Sequence, residues 1–262
     1  MRLISLCPSL TELLFDLGVG EYVVGRTKFC VHPQGAVERV ERLGGTKNPK
    51  IDRIVELKPN IVFMNEEENR REDADKLRAR NIRVHASVPR TPEETAAMVR
   101  SIAGAVGRRE SGERIAQQIE TAAARVRAAS VQAARRVTYA YLIWRDPWMT
   151  ISDDTFVAEI LKLPGGVNVF GQMAARYPAI TVLELASACP DVVLLSTEPF
   201  PFAEPHIDEL TAATGLARER FLIVDGELLS WHGSRTPLGI AYAEDVLTRV
   251  SSDHGTSGMG AM

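Results

Sequence analysis

The sequence predicts an α/β protein built as two α/β lobes with mainly parallel sheets, joined by one long helix. Apolar runs of strand length alternate with helical stretches, the pattern that lays strands side by side through crossover helices. The two halves also echo one another. IDRIVELKPNIVFM at 51–64 and VLELASACPDVVLL at 182–195 share a helix–proline–strand plan, with Pro59-Asn60 matched by Pro190-Asp191. Upstream of each, TELLFDLGVGEYVVG at 11–25 resembles TFVAEILKLPGGVNVFG at 155–171. A spacing of roughly 130 residues is that of a lobe and too long for a solenoid repeat. Between the halves, RRESGERIAQQIETAAARVRAASVQAAR at 108–135 contains no proline, and its Ile115, Ile119, Ala122, Val126 and Ala129 recur at helical steps.

The first strand is expected over residues 2–6. A helix follows whose start, Ser9-Leu10-Thr11-Glu12, fits a capping box, and whose Leu13, Leu14 and Leu17 form one apolar face before Gly18 and Gly20 stop it. Strands at 22–24, 60–64 and 82–86 alternate with helices at 51–57 and 70–80. The central helix, at about 1.5 Å per residue, would reach roughly 40 Å and act as a strut. Beyond it a strand over 137–144 is interrupted by Asp146-Pro147. The domain plan is therefore an N-terminal lobe at 1–107, a connecting helix at 108–135, a C-terminal lobe at 136–250 and a disordered tail, SSDHGTSGMGAM, at 251–262.

Hydrophobic residues at 45% and charged residues at 25% of 262 are ordinary for a globular chain. With 31 basic and 34 acidic side chains the net charge is −3, so the basic excess that nucleic acid demands is missing. Cys7, Cys30 and Cys189 match neither zinc nor disulfide spacing and read as reduced thiols. The opening MRLISLCPSLTELL lacks the long apolar core of a secretory signal, and no run of about 18 apolar residues could span a membrane. As written, the chain is expected in the cytoplasm; a periplasmic or cell-surface location is the alternative if a leader was removed or the start codon lies elsewhere.

Ligands of open α/β sheets collect beyond the carboxyl ends of strands. Those positions hold Pro8 and Ser9, then GRTKFCVHP with Phe29 and His32, then Asn65 and Glu66. In the second half they hold WRDPW with Trp144, Arg145 and Trp148, then STEP, then DGELLSWHGSR with Trp231, His232 and Arg235. All three tryptophans thus fall on one lobe's rim. Aromatic walls with a few placed polar groups suit a large organic ligand; the competing reading packs Trp144 and Trp148 on a neighbouring helix. His32 and His232 are each single, so no protein metal site is expected. The run Glu66 to Glu68 reads as a solvated loop, and no phosphate loop, GxGxxG after a strand, GxSxG elbow or HExxH occurs. No catalytic residues are expected.

On these segments the chain resembles the type III periplasmic-binding proteins, also called helical-backbone metal receptors, from residue 3 to about residue 249. The marks are SLCPSLTELLFDLGVGEYVVGRT, NPKIDRIVELKPNIVF, the central helix, PAITVLELASACPDVVLL and DGELLSWHGSR. The resemblance implies two rigid lobes on one backbone helix, with a shallow cleft and little closure. It is nearest to the cobalamin-binding branch, where aromatics clamp a corrin ring. Carried over, His32 stands where a tyrosine is usual, with Phe29 nearby; Trp144, Tyr177 and Trp231 match ring contacts; Thr46 and Asn65 stand where tryptophans occur. Ser9, Asn65, Arg145 and Arg235 would hydrogen-bond the corrin's amides. The permease-docking carboxylates would be Asp52 and, beside Leu183, Glu184. The implied function is corrinoid binding in the interlobe cleft, as the substrate-binding component of an ABC-type importer or an intracellular relative, with no required cofactor and an ABC permease as partner. The alternatives are haem or ferric-siderophore binding, with His32 or His232 as axial ligand, and an intracellular enzyme or assembly factor that handles corrinoid or tetrapyrrole.

Overall fold

The structure, a computed structural model, describes residues 1–131 and 135–256. It divides into two compact units. The first comprises Met1–Pro89, Glu93–Glu120 and the short segment His232–Arg235; the second comprises Arg90–Pro92, Thr121–Trp231 and the chain from Thr236 onward.

The first unit contains β1 (Leu3–Ser5), α1 (Pro8–Asp16), β2 (Val23–Arg26), β3 (Glu41–Arg42), α2 (Ile51–Glu56), β4 (Ile61–Asn65), α3 (Arg71–Arg78), β5 (Val84–Ser87), all but the first residue of α4 (Pro92–Ala105), and the first part of α5 (Arg109–Ser130). Its five strands lie in the order β3-β2-β1-β4-β5 and every ladder is parallel. Central strands of such a sheet are covered on both faces and so are predominantly apolar. Leu3, Ile61 and Phe63 pack with Leu10, Leu13 and Leu14 of α1 and with Val99, Ile102, Ile115 and Ile119 of α4 and α5. The alternate residues Ile4, Val62 and Met64, with Leu6 just beyond β1, meet Ile54 of α2 and Ala74 and Leu77 of α3.

Helix α1 begins one residue before the expected capping box. Pro8 takes the first turn, Cys7 is the N-cap without a side-chain cap, and the Thr11 hydroxyl donates to the Cys7 carbonyl at 3.0 Å. Proline lacks an N–H and has its φ preset for this position, so it displaces Ser9 from the cap. Helix α4, not foreseen from the sequence, opens with Pro92, Glu93 and Glu94, a start that suits the positive end of the helix dipole.

Helix α5 runs unbroken for 22 residues, about 33 Å at 1.5 Å per residue. Ile115, Ala116 and Ile119 are buried in the first unit's core and Ala123 and Val126 in the second's. The expected stripe ends there: Ala122 is half-buried and Ala129 is exposed. Residues 132–134 of the expected connecting stretch lie outside the described residues.

The second unit contains β6 (Val137–Leu142), α6 (Phe156–Lys162), β7 (Gly166–Asn168), α7 (Val182–Ala188), β8 (Val192–Ser196), α8 (Glu204–Thr214), β9 (Phe221–Val224), α9 (Gly226–Ser230) and α10 (Thr236–Thr256). The four strands, in the order β7-β6-β8-β9, are again all parallel. Tyr139, Tyr141, Val192 and Leu194 face α5, α6 and α10, while Ala140, Leu142, Val193 and Leu195 face α7 and α8. The sequence echo has a backbone counterpart. Lys58 (φ 46) and Cys189 (φ 43), each just before a proline, both take the left-handed conformation that ends the preceding helix. Residues 251–256, assigned to the tail from sequence, continue α10; residues 257–262 lie outside the described residues.

The approach of α4 to α5 depends on Gly112, where an added Cβ would lie 2.2 Å from the Cβ of Ala103. In an open helix Gly→Ala stabilises by up to about 1 kcal/mol, but overpacking costs about 1–3 kcal/mol. Gly112→Ala is therefore expected to lower the urea midpoint; an unchanged or raised midpoint contradicts this packing.

Candidate functional site

In both sheets the crossovers diverge about a central pair, β1/β4 in the first unit and β6/β8 in the second. Loops leaving such a pair in opposite directions open a crevice at the carboxyl ends of the strands. The two edges differ in chemistry.

At the first unit's edge the polar groups bind one another. Asn65, at the end of β4, is 1% exposed. Its Oδ1 accepts from the N–H groups of Glu67 and Glu68 at 2.9 and 3.0 Å, which fixes Nδ2 as a donor to Nε2 of His232 at 2.9 Å. His232 is therefore the neutral tautomer protonated on Nδ1. Asn69 closes the same turn, accepting from the Asn65 N–H and donating to the carbonyls of Leu6 and Thr46. The segment from His232 is held further by Arg235, whose guanidinium pairs with both oxygens of Glu12 at 2.9 and 2.7 Å. Ser9 is buried with its hydroxyl 3.4 Å from the Cys7 sulfur. Of the residues expected to face a ligand, Ser9, Asn65 and His232 are therefore buried, and Asn65, His232 and Arg235 are bonded within the unit. Pro8 is half-buried, Glu66 is exposed and Thr46 is buried. Farther along this edge, the loop after β2 presents Phe29, 50% exposed with the Lys28 ammonium 4.8 Å from its ring, and the half-buried His32.

At the second unit's edge the groups are aromatic. The chain leaves β6 into a tight turn in which the Ile143 N–H donates to the Met149 carbonyl and the Met149 N–H to the Trp144 carbonyl, both at 3.0 Å, with Asp146 at φ 61. The expected renewed strand is reduced to single bridges from Met149 to Trp144 and to Ala179. Trp144 is 41% exposed, and its ring meets Phe200 edge-on at 5.7 Å. Phe200 leans on Phe202 at 4.7 Å, and Trp148 stacks on Phe202 at 6.0 Å. His206 sets its edge against both phenylalanines at 5.2 and 5.4 Å, its Nδ1 held by the Ala203 backbone. Arg145 lies over the Trp148 ring at 5.7 Å and forks onto Glu209 at 3.0 and 2.9 Å. Tyr177, 38% exposed, carries the Arg176 guanidinium 5.9 Å from its ring.

Trp231 does not share this exposure. It is 7% exposed and its indole N–H donates to Glu198 Oε2 at 3.0 Å, so the expected open wall is a packed one. The aromatic partner of Trp144 is the half-buried Phe200, which the sequence reading missed. The clue was present in STEPFPFAEPH, where two phenylalanines alternate with prolines just beyond β8. Of the two candidate docking carboxylates, Asp52 is almost fully exposed and 3.4 Å from Arg80. Glu184 instead completes a capping box. Its carboxylate accepts from the Thr181 N–H at 2.7 Å and hydroxyl at 2.9 Å, bonds that hold its pKa below the usual range. Its neighbour Leu183 is 73% exposed. Among the described residues no group of three or more His, Cys, Asp or Glu could hold a metal ion, and no helix is long and apolar enough to cross a membrane.

A family model described as "Periplasmic binding protein" matches residues 3–221. The chain belongs to the periplasmic binding protein family. A relative named vitamin B12-binding protein from Vibrio parahaemolyticus is 24% identical over 195 residues, covering 74% of this chain and 70% of its own. Among solved structures, the periplasmic vitamin B12 binding protein BtuF of Vibrio cholerae superposes with a TM-score of 0.81 at 21% identity, covering 95% of this chain and 97% of that one. The apo form of the periplasmic heme-binding protein RhuT from Roseiflexus sp. RS-1 gives 0.82 at 24% identity, covering 96% and 98%. These similarities establish the fold, the α/β type III periplasmic-binding-protein fold with two parallel sheets that the sequence resemblance implied.

Burial pushes His232 of this family member down to about 4 from 6.5, because the imidazolium would lose its hydration. The unfolded chain therefore takes up the proton first as pH falls. The stability associated with neutral His232 is complete above about pH 6.5 and lost progressively toward pH 4, by roughly 3 kcal/mol in all. Urea titrations at several pH values should show His232→Gln losing less over that window than the unmodified chain; identical slopes would contradict the assignment.

Proposed function

We propose that this protein binds a cobalamin-like corrinoid and delivers it unchanged, as the substrate-binding component of an ABC-type importer. The observation that carries the reading is the aromatic group at the carboxyl ends of β6 and β8, where the exposed Trp144 meets the half-buried Phe200; Tyr177 is a further exposed ring of the same unit. A corrin is wide, flat and largely apolar on its faces, with amides at its rim. Rings of this kind each cover about 150–250 Å² of such a ligand. In the second unit Arg145 supplies a polar group for rim amides beside Trp148; in the first, Pro8, Phe29, His32 and Glu66 are the proposed contacts on that unit's own strand-end loops. The relative named vitamin B12-binding protein supports the same ligand class, and the periplasmic vitamin B12 binding protein BtuF supports that class and a periplasmic location. Asp52 and Glu184 are the proposed carboxylates for a permease partner. Binding rather than turnover is the role of the family.

Titration with cyanocobalamin, followed by tryptophan fluorescence and calorimetry, is expected to saturate at one equivalent in the micromolar range or below. Trp144→Ala should weaken it about tenfold, near the upper end of the 0.5–1.5 kcal/mol that an aromatic contact adds beyond its area. No saturable heat at micromolar protein would remove the corrinoid reading. Haemin in the same assay distinguishes the haem reading, which a heme-binding neighbour of the same fold keeps in view. Recovery of a chemically altered corrinoid would favour the enzyme reading.

A further inference from the structure

The loop that presents Phe29 and His32 is built on one buried guanidinium. Arg26, the last residue of β2, is 2% exposed. Its Nε donates to the Val37 carbonyl at 2.8 Å, and its Nη1 donates to the carbonyls of Thr27 at 3.1 Å and Cys30 at 2.9 Å. These three acceptors mark the beginning, middle and end of residues 27–37. A guanidinium is tolerated in an interior only where its donors are matched, and the carbonyls in turn lose water when the loop covers them. Loop and side chain can therefore separate only by stranding both.

A second set of contacts pins the same loop from outside the guanidinium. Cys30 is 1% exposed, and its sulfur lies 3.0 Å from the Thr11 hydroxyl oxygen and 3.1 Å from that of Thr27. The Lys28 N–H donates to the Gly44 carbonyl at 2.8 Å, and a Cβ at Gly45 would lie 3.4 Å from the Phe29 ring. On this base Phe29 and Val31 stand 50% and 44% exposed. Large apolar groups held outward on a braced loop are pre-organised: a ligand that covers them need not order the loop first.

We propose that Arg26 is a positioning residue for ligand binding, holding residues 27–37 so that Phe29 and His32 meet the ligand. The inference rests on the corrinoid reading for the identity of that ligand. Lysine at this position keeps the charge but offers a single ammonium, which cannot reproduce a planar fork that bonds through two nitrogens in fixed relation.

The test uses the full chain with Arg26→Lys, Phe29→Ala and the double variant. Amide hydrogen exchange should accelerate in Arg26→Lys over residues 27–37 while the peptides of β1 and β4 keep their protection. Cyanocobalamin affinity should fall about tenfold in each single variant, and no further in the double variant, since a displaced Phe29 has no contact left to lose. Unchanged exchange over 27–37, or losses that simply add, would overturn the proposal. So would exchange that quickens equally across the unit, which is general destabilisation. If the unmodified chain binds no cyanocobalamin, the corrinoid reading fails by itself, and the exchange pattern still decides whether Arg26 sets the loop. Should Arg26→Lys fail to fold, Cys30→Ser, which alters the other pin, serves the same exchange comparison: acceleration confined to 27–37 supports a braced loop, and none opposes it.

Discussion

Parallel strands buried on both faces leave a protein little freedom over where it can meet a ligand. In each unit the central strands are almost wholly buried, and their apolar side chains alternate between one helical layer and the other. What remains for recognition is the row of loops at the strand ends. The divergence of crossovers about β1/β4 and β6/β8 then selects which loops have a gap between them. Trp144 and Phe200 sit on such loops, and Phe29 on the loop after the neighbouring β2.

The same constraint explains why similar edges acquired opposite characters. At the end of β4, Asn65 turns back on its own loop and Asn69 spans to Leu6 and Thr46, so nearly every polar group finds a partner within the unit. That arrangement is stiff, and it makes the neutral state of His232 part of the fold. At the end of β6, by contrast, the bonds that close the turn are backbone bonds, and the side chains of Trp144 and Trp148 are left to pack with Phe200 and Phe202 while Arg145 pairs with Glu209. A backbone-closed turn is what frees two large rings for an apolar surface.

The chain belongs to the periplasmic binding protein family and shares its fold with proteins named for binding vitamin B12 and heme. His32 and Arg145, each on a loop beyond a strand end of its own unit, differ in kind from the aromatic groups, since a polar side chain offers direction as well as area.

Much of this was legible in the amino-acid order. The strand and helix alternation, the paired helix–proline–strand echoes and the continuous central helix all arise from local preference and from hydrophobic pattern. Both follow from neighbours in sequence, and Trp144 at a strand end is conspicuous in the same way. The start of α1 misled because two cap-compatible patterns overlap at Pro8 and Ser9, and proline's missing N–H decided between them. The fates of Asn65, Trp231 and Arg235 were set by His232, Glu198 and Glu12, partners that lie 167, 33 and 223 residues away. No local pattern encodes such a meeting. Hydrogen bonding saturates at short range, so whether a polar or aromatic side chain stays open to a ligand is known only once the folded chain has brought its partner within about 3 Å.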